Sequence, residues 1–374
     1  MFPVQNTQSS TFATLATMRV LTHCRQRFPF ISHHFSRQFR TTGLSDPKNV
    51  WKLTQQDHGS YWTGYLSTRP KYTDSFYDLI YNHHATRSRN RGSSTSLSVA
   101  HDVGAGPGHV AAKLAARFSH VVVSDNNASH LEYAKRFLSR SGIPQSSFSY
   151  VSSRAEELLS KDPGKAGSAD LVACALTFPL LDTLPALQTF YTLLRPGGTL
   201  AIWFYGRAHF AEPEYARTCQ PLLDEIIDHH YTGVIQGHGS EHLAQWKCVA
   251  ERIACWLDYI PFSETEWANV TRYKWNTSWA GLEFFTERAC GCPLDVLPRE
   301  IKQGEIVIEQ EDRKMWEMSW DISELREFVK YIFPFERMDD EPVRPLWARL
   351  EREVGFGQQR LFSWPAVLIL ATKK

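Results

Sequence analysis

The chain contains 374 residues, and its 41 lysines and arginines nearly balance its 40 aspartates and glutamates, so that the formal net charge is +1. This balance speaks against a nucleic-acid or membrane-surface partner, and no apolar run approaches the roughly 20 residues of a membrane span. The seven cysteines include no CxxC pair, which favours free thiols in a reducing compartment over a metal site. The sequence does not indicate the oligomeric state.

Residues 1–45 differ in composition from the rest of the chain. They contain no acidic side chain, because the first is Asp46, and they carry five arginines among many serines and threonines. This composition is typical of a mitochondrial presequence, and a disordered N-terminal extension is the alternative. The expected location is the mitochondrial matrix under the first interpretation and the cytoplasm under the second.

An aromatic-rich segment follows, from about residue 51 to residue 85. It contains Tyr65, Arg69 and Tyr72, and the spacing of its later apolar residues predicts a helix from Asp74 to His84. Aromatic side chains in such a segment either pack the helix onto the next domain or line a ligand pocket.

Residues 97–125 predict a strand, a glycine-rich loop, a helix and a second strand. Leu97 to Val103 is a short apolar run, and helical spacing begins at His109. Glycines between them let the backbone turn sharply and approach a ligand with no Cβ in the way. The second strand ends at Asp125, whose carboxylate is placed to accept hydrogen bonds from ribose hydroxyls. The stretch therefore predicts a nucleoside-binding unit.

The spacing of the glycines distinguishes between nucleotide cofactors. A dinucleotide fingerprint that begins at Gly104 and Gly106 would need its third glycine at position 109, which is His109. The observed pattern is D-x-G-x-G-x-G, and its acid opposes a pyrophosphate. This pattern resembles the first motif of the class I S-adenosylmethionine-dependent methyltransferases. The resemblance implies that the cofactor site contains Asp102, Gly104, Ala105, Gly106, Gly108, Asp125 and Asn126.

Three further strands follow in the order expected for that fold. Apolar runs predict them at Phe148–Ser153, Asp170–Leu176 and Thr199–Tyr205. At the end of the first of these strands, the resemblance implies that Ala155 and Glu156 contact the adenine.

The run LLRPGGTLAIWFYG, which spans residues 193–206, is more specific than the glycine loop. Together with the R-P-x-Y lead-in at Arg69 and the terminal W-P-A-V at Trp364, it resembles the fungal trans-aconitate-methyltransferase-like family. The resemblance covers about residue 51 to the end of the chain. It implies that Tyr65, Arg69 and Tyr72 lie over the cofactor and line the substrate pocket.

One segment departs from that family's pattern. Where relatives carry a glutamine and a His-Trp pair after the fourth strand, this chain has Leu176, Pro179 and Leu180. The carboxyl end of such a strand faces the ligand crevice. We therefore expect an apolar wall that includes Leu176 and Phe178. The expected acceptor is mainly apolar or aromatic with an oxygen or carboxylate nucleophile, and trans-aconitate is not transferred as the substrate.

The rest of the chain divides by composition around a core at 46–206. Residues 207–341 are rich in tryptophan, and we expect a helical lid or substrate region. Residues 342–374 predict a helix and a strand that returns to the core sheet. The expected fold is α/β, a doubly wound, mostly parallel seven-stranded sheet of the class I methyltransferase type with a helical insertion.

With the resemblance, this fold predicts methyl transfer from S-adenosylmethionine to a small-molecule substrate. No Ser-His-Asp or Cys-His arrangement is identifiable, so no catalytic residue is assigned. Two other functions remain open. One is a catalytically reduced methyltransferase-like protein that acts as a mitochondrial assembly or binding factor. The other is an NAD(P)-linked oxidoreductase, which the glycine spacing opposes.

Overall fold

The computed structural model describes residues 58–89, 97–161, 165–236, 239–278, 281–314, 316–332 and 341–374. The predicted extension at 1–45 lies outside the described residues. No helix within the described ranges is long and apolar enough to cross a membrane.

Strands and helices alternate through the first half of the described chain, after two helices, α1 (His58–Thr68) and α2 (Asp74–Arg89). The alternating elements are β1 (Val99–Val103), α3 (His109–Leu114), β2 (His120–Asp125), α4 (Ala128–Leu138), β3 (Phe148–Ser152), α5 (Leu158–Lys161), β4 (Ala169–Ala175), α6 (Thr183–Leu193) and β5 (Leu194–Tyr205). The second half contains β6 (His209–Phe210), α7 (Pro213–Thr218), α8 (Gln220–Gln236), α9 (Ser240–Ala254), β7 (Trp267–Trp275), α10 (Glu287–Cys290), β8 (Ile306–Gln310), β9 (Met318–Trp320), α11 (Ile322–Lys330), α12 (Arg344–Val354), β10 (Arg360–Ser363) and β11 (Ala366–Lys373).

Eight of the described strands form one central sheet in the order β3-β2-β1-β4-β5-β11-β7-β8. β1 pairs in parallel with β2 and β4, and β11 pairs antiparallel with β5 and β7. The winding direction reverses between β1 and β4, which is where doubly wound sheets bind ligands. The predicted doubly wound, mostly parallel sheet is confirmed. β6, β10 and β9 form a second, smaller sheet.

The sequence around β2 shows how the chain delivers polar side chains to the sheet edge. β2 reads HVVVSD, and every residue after its first is buried, as expected for a parallel strand covered on both faces. Asn127 follows the strand, and its side chain accepts a hydrogen bond from the Ser129 amide to cap α4. The strand therefore passes directly into a capped helix, with Asp125 at the junction.

The region 207–341 differs from the predicted helical lid, because β7 and β8 within it are strands of the central sheet. β7 reads WANVTRYKW, and its Arg272 and Lys274 are buried in ion pairs. Buried polar residues obscure the apolar pattern from which strands are predicted. The sheet consequently has one more strand than the seven expected.

Candidate functional site

The carboxyl ends of β1 to β5 meet at one edge of the central sheet. The register places Asp102 beside Ala173 of β4, and Asp125 beside Ser152 of β3. Tyr205 ends β5 at the same edge. In a doubly wound sheet this edge opens onto the ligand crevice. The predicted acids of β1 and β2 therefore lie at one site.

The glycine loop between β1 and α3 requires glycine at its first position. Gly104 has φ of +69°, and a Cβ there would lie 2.5 Å from the Thr177 side chain. The Thr177 hydroxyl donates a hydrogen bond to the Gly104 carbonyl at 3.4 Å. Gly106 and Gly108 also have positive φ, which side chains rarely adopt. The conformation of the loop therefore depends on having glycine at positions 104, 106 and 108.

Asp125 holds this loop to the start of α4. Its Oδ2 accepts a hydrogen bond from the Gly106 amide at 3.0 Å, and its Oδ1 accepts one from the Asn127 amide at 2.9 Å. The Nδ1 atom of His130 lies 3.3 Å from the same Oδ1. Asn126, the other residue predicted here, is exposed. Oδ2 has a second lone pair, so it could accept a hydrogen bond from a ligand hydroxyl while these contacts persist.

Asp102 is buried without a partner that would stabilise its charge. Only 1% of the residue is exposed, and neither carboxylate oxygen has a hydrogen-bond partner of normal geometry among the described residues. Burial, opposed by the nearby Ala111 amide and reinforced by the charge of Asp125, raises the pKa of Asp102 to about 7. A cationic ligand group beside this carboxylate would stabilise its ionised form.

The two predicted adenine contacts follow β3. Ala155 is buried in a short helical turn, and the Glu156 side chain is largely buried. The Glu156 carboxylate accepts a hydrogen bond from the Asp182 amide at 2.9 Å and lies 3.4 Å from the Arg154 Nε. The Glu156 side chain therefore fixes the start of α6, and Ala155 belongs to the buried core.

Helix α1 covers the glycine loop. A Cβ on Gly106 would lie 3.3 Å from the Trp62 ring, which also meets the His130 ring edge-on at 5.1 Å. Gly64, on the same helix, lets α1 approach α11, because any larger residue would enter the Tyr331 ring. Tyr61, Trp62 and Tyr65 form a small apolar cluster separate from the main core. We call α1 with this cluster the cap.

Arg69 lies at the end of the cap and is only 7% exposed. Its Nη2 donates to the carbonyls of Ile332 at 2.9 Å and Tyr331 at 3.4 Å, just beyond the C-terminus of α11. The guanidinium lies over the Tyr65 ring, 4.5 Å from its centroid. Its Nε is buried and has no acceptor among the described residues. Tyr65 and Arg69, two predicted substrate residues, are thus in direct contact.

Tyr72 joins the cap to the glycine loop. Its ring stacks on His109, with centroids 5.7 Å apart, and meets the edges of Trp203 and Trp316 at 5.6 Å each. Burial lowers the pKa of His109 to about 4, so the imidazole is neutral at pH 7. Tyr72 therefore lies in an aromatic wall beside the start of α3.

The structure separates the two predicted apolar residues after β4. Leu176 is half-buried with φ of +55°, and its amide donates to the Trp203 carbonyl at 2.9 Å. A leucine in this conformation is strained, as residues at ligand sites often are. Phe178 is fully buried and packs against Phe190 of α6. Leu176 is therefore partly accessible beside the core, whereas Phe178 lies within the core.

Four residues at the site were not singled out by the sequence analysis, namely Tyr61, His130, Thr177 and Tyr205. Tyr205 carried a usable signal, because it ends a predicted strand at the ligand edge. The other three depend on contacts between elements that no local pattern reveals. His130 reaches Asp125 from one turn into α4, and Thr177 reaches Gly104 across the switch point.

Comparisons with known proteins agree on one family. A methyltransferase-domain model matches residues 100–198. Methyltransferase pgmE of Aspergillus terreus is 38% identical over 341 residues, covering 89% of this chain and 99% of that protein. Methyltransferase cfoB of Aspergillus candidus is 34% identical, covering 84% and 94%. Methyltransferase ptaI of Pestalotiopsis fici is 36% identical, covering 84% and 93%.

Proposed function

Because the chain belongs to the class I S-adenosylmethionine-dependent methyltransferases, we propose that it methylates an oxygen of a mainly apolar or aromatic small molecule. The observation that carries the proposal is the carboxyl edge of the sheet. There a glycine loop, two carboxylates and an aromatic cap lie together. We also propose that, within this class, the chain belongs to the trans-aconitate-methyltransferase-like family.

The residues at this edge fit S-adenosylmethionine. Asp102 is a buried carboxylate without a hydrogen-bond partner among the described residues, and the ligand's methionyl part is cationic. Gly104, Gly106 and Gly108 bring the backbone close to a ligand, and Asp125 would accept from the ribose hydroxyls. Ala155 would lie against the adenine. When bound, S-adenosylmethionine supplies an electrophilic methyl carbon on a sulfonium.

The protein's own task is then to hold an oxygen in line with that carbon and to exclude water. An ionised carboxylate or phenolate needs no strong base, because its electron pair is already available for the new bond to carbon. His109 is held neutral and is a weak base, since burial lowers its pKa to about 4. The geometry therefore favours an acceptor that ionises easily over a neutral alcohol.

The acceptor would lie against the aromatic wall and the cap. Tyr72, Trp203 and Trp316 present rings beside the glycine loop, and Leu176 adds apolar surface at the end of β4. Trp62 touches the position above Gly106, so α1 has to shift when ligands enter. The cap is suited to this movement, because its cluster is separate from the main core.

The experiment is to incubate the protein with S-adenosylmethionine and a panel of phenols, aryl carboxylic acids, neutral alcohols and small tricarboxylates. S-adenosylhomocysteine and methylated products are then quantified by mass spectrometry. We expect both products with phenols or aryl acids, and neither with Gly106→Val. Efficient methylation of a tricarboxylate would contradict the acceptor class. A folded protein that binds the cofactor but methylates no member of the panel would contradict the proposed reaction.

A further inference from the structure

From the surroundings of Arg69 we infer a subsite for a planar oxyanion, either a carboxylate or a phenolate, formed by Arg69 with Tyr61 and Tyr205. The inference rests on the proposed function and deepens it, because it names the group by which the acceptor molecule is recognised. We call Tyr61, Tyr65, Arg69 and Tyr205 the Arg69 cluster.

The charge of Arg69 is not balanced by this chain's described residues. Arginine stays protonated at all working pH values, and buried cations are ordinarily paired with an anion. The groups that dominate its electrostatic surroundings are the phenols of Tyr205, Tyr65, Tyr61 and Tyr231. The two carbonyls beyond α11 supply only the partial negative charge of neutral peptide groups. A further negative group is needed for full compensation.

Hydrogen-bond donors in the cluster also lack acceptors. The hydroxyls of Tyr61 and Tyr205 and the Nε of Arg69 are buried, and none of them has a hydrogen bond of normal geometry among the described residues. The Tyr205 hydroxyl lies next to both the Arg69 guanidinium and the Tyr65 hydroxyl. Burial raises the pKa of Tyr61 and of Tyr205, so both phenols remain neutral donors. Several unsatisfied donors around one cation match the acceptor oxygens of an anion.

The position of the cluster connects it to the cofactor crevice. Tyr61 contacts Trp62 at a ring distance of 4.9 Å, and Trp62 covers Gly106. Tyr205 ends β5 and lies 6.2 Å from Trp316 in the aromatic wall. The planar guanidinium, with its fork of donors, suits a carboxylate or an aromatic oxyanion better than a point charge would. A planar ring bearing the anion would rest on the surrounding aromatic side chains.

The test uses the full chain saturated with S-adenosylhomocysteine, and it measures binding rather than turnover. Benzoate is the carboxylate probe, and 4-nitrophenol is the phenolate probe, because its absorbance reports its ionisation. Methyl benzoate and 4-nitroanisole are neutral controls of similar shape. We expect the ionised probes to bind at least about tenfold more tightly than the controls, as hydrogen bonds to a charged group imply. Binding of one ionised probe alone supports the subsite and identifies its oxyanion.

Tyr61→Phe and Tyr205→Phe remove one hydroxyl each. We expect about a tenfold to hundredfold loss of affinity for the ionised probe, with unchanged affinity for S-adenosylhomocysteine. For Tyr61→Phe the midpoint of thermal unfolding should stay the same or rise, because this variant removes a buried hydroxyl that has no hydrogen-bond partner among the described residues. A purely structural role would instead lower that midpoint.

Tyr259→Phe is the matched control, since Tyr259 also has a buried hydroxyl without a hydrogen-bond partner among the described residues but packs near Arg252. Arg69→Met should abolish discrimination between ionised and neutral probes, and its folding is checked by binding of S-adenosylhomocysteine. The inference is overturned if the charged and neutral probes bind alike, or if the two cluster variants lose no more affinity than Tyr259→Phe. If the folded wild-type protein does not bind S-adenosylhomocysteine, the proposed function itself is overturned.

Discussion

Two regions of this molecule bury charged side chains in opposite ways. On β7, the Arg272 Nε lies 2.6 Å from a carboxylate oxygen of Glu305, and the Lys274 Nζ lies 2.8 Å from one of Asp258. At the carboxyl edge of the sheet, Asp102 and Arg69 are buried, and no described residue forms an ion pair with either. The buried charges of the first region are paired with opposite charges of this chain, whereas those of the second region are not.

We propose that this difference separates residues that maintain the fold from residues that bind ligands. A buried ion pair with additional hydrogen bonds needs nothing from outside the chain, and Arg272 also donates to two backbone carbonyls. An unpaired buried charge is costly, so the protein retains one mainly where a ligand completes it. Substitutions in the two regions should therefore have different effects on stability and on binding.

The largest expected effect is on cofactor binding and comes from Gly106→Val. The valine side chain would meet the Trp62 ring and fill space above the loop, so S-adenosylhomocysteine binding should disappear in calorimetric titration. Gly142→Val is the control, because Gly142 also has positive φ but has open space around its missing Cβ. Gly142→Val should cost about 1–2 kcal/mol of stability and leave binding intact. Normal binding by Gly106→Val would show that the loop is not the site.

Removing an ion pair of β7 should lower the stability of the protein and leave its affinity for S-adenosylhomocysteine unchanged. Arg272→Met leaves Glu305 buried without its partner, and we expect a loss of about 3–5 kcal/mol in the free energy of unfolding measured with urea. The double variant Arg272→Met with Glu305→Leu should recover much of that loss. Affinity for S-adenosylhomocysteine should not change in either protein. A large change in affinity without a loss of stability would contradict the division into two regions.

Asp102→Asn should raise the free energy of unfolding at neutral and higher pH, whereas Arg272→Met lowers it. Burial raises the pKa of Asp102 from its ordinary value of 3.8 to about 7 in the folded state, so between those pH values only the folded state keeps the proton. The free energy of unfolding of the cofactor-free protein should therefore fall by up to about 4 kcal/mol between pH 4 and pH 7.

The asparagine variant lacks this component, so we expect it to be more stable than the wild type at pH 8 and to bind S-adenosylmethionine more weakly. Asp170→Asn is the contrasting variant. The buried Asp170 Oδ1 lies 2.5 Å from the Arg195 Nε, so this variant should be less stable than the wild type at the same pH. A less stable Asp102→Asn would mean that the carboxylate is already compensated within the chain.

A smaller effect is expected from Asp125→Ala. Loss of the ribose acceptor should weaken cofactor binding by about 1–3 kcal/mol. Asp125→Asn, which keeps one acceptor oxygen, should lose less. Calorimetry measures both affinities, and thermal unfolding shows how far the lost contacts to the Gly106 and Asn127 amides matter for stability. Unchanged affinity in both variants would place the ribose elsewhere.

The sequence predicted the half of the site that local patterns encode. Strand β2 ends at Asp125, as predicted, and Gly104 and Gly106 lie in the predicted loop after β1. These features are short in range, because a strand, a turn and a helix start each depend on neighbouring residues.

The other half depends on packing between distant elements. Arg69 meets the end of α11 more than 260 residues later, and Tyr61 joins it only through the cap. β7 was missed because its buried Arg272 and Lys274 look like surface residues in a sequence. Phe178 was expected at the ligand wall, but its ring packs against Phe190 in the core, because the chain forms a short helical turn at Phe178–Leu180 and buries this side chain.

The most direct test of the central claim is calorimetric titration of the wild-type protein at pH 8 with S-adenosylhomocysteine and with NAD. The incomplete carboxyl edge predicts one molecule of S-adenosylhomocysteine bound per chain, together with a higher midpoint of thermal unfolding. It predicts no comparable binding of NAD, because Asp102 opposes a pyrophosphate and position 109 holds His109 instead of glycine. Tighter binding of NAD, or no binding of S-adenosylhomocysteine by folded protein, would contradict the claim.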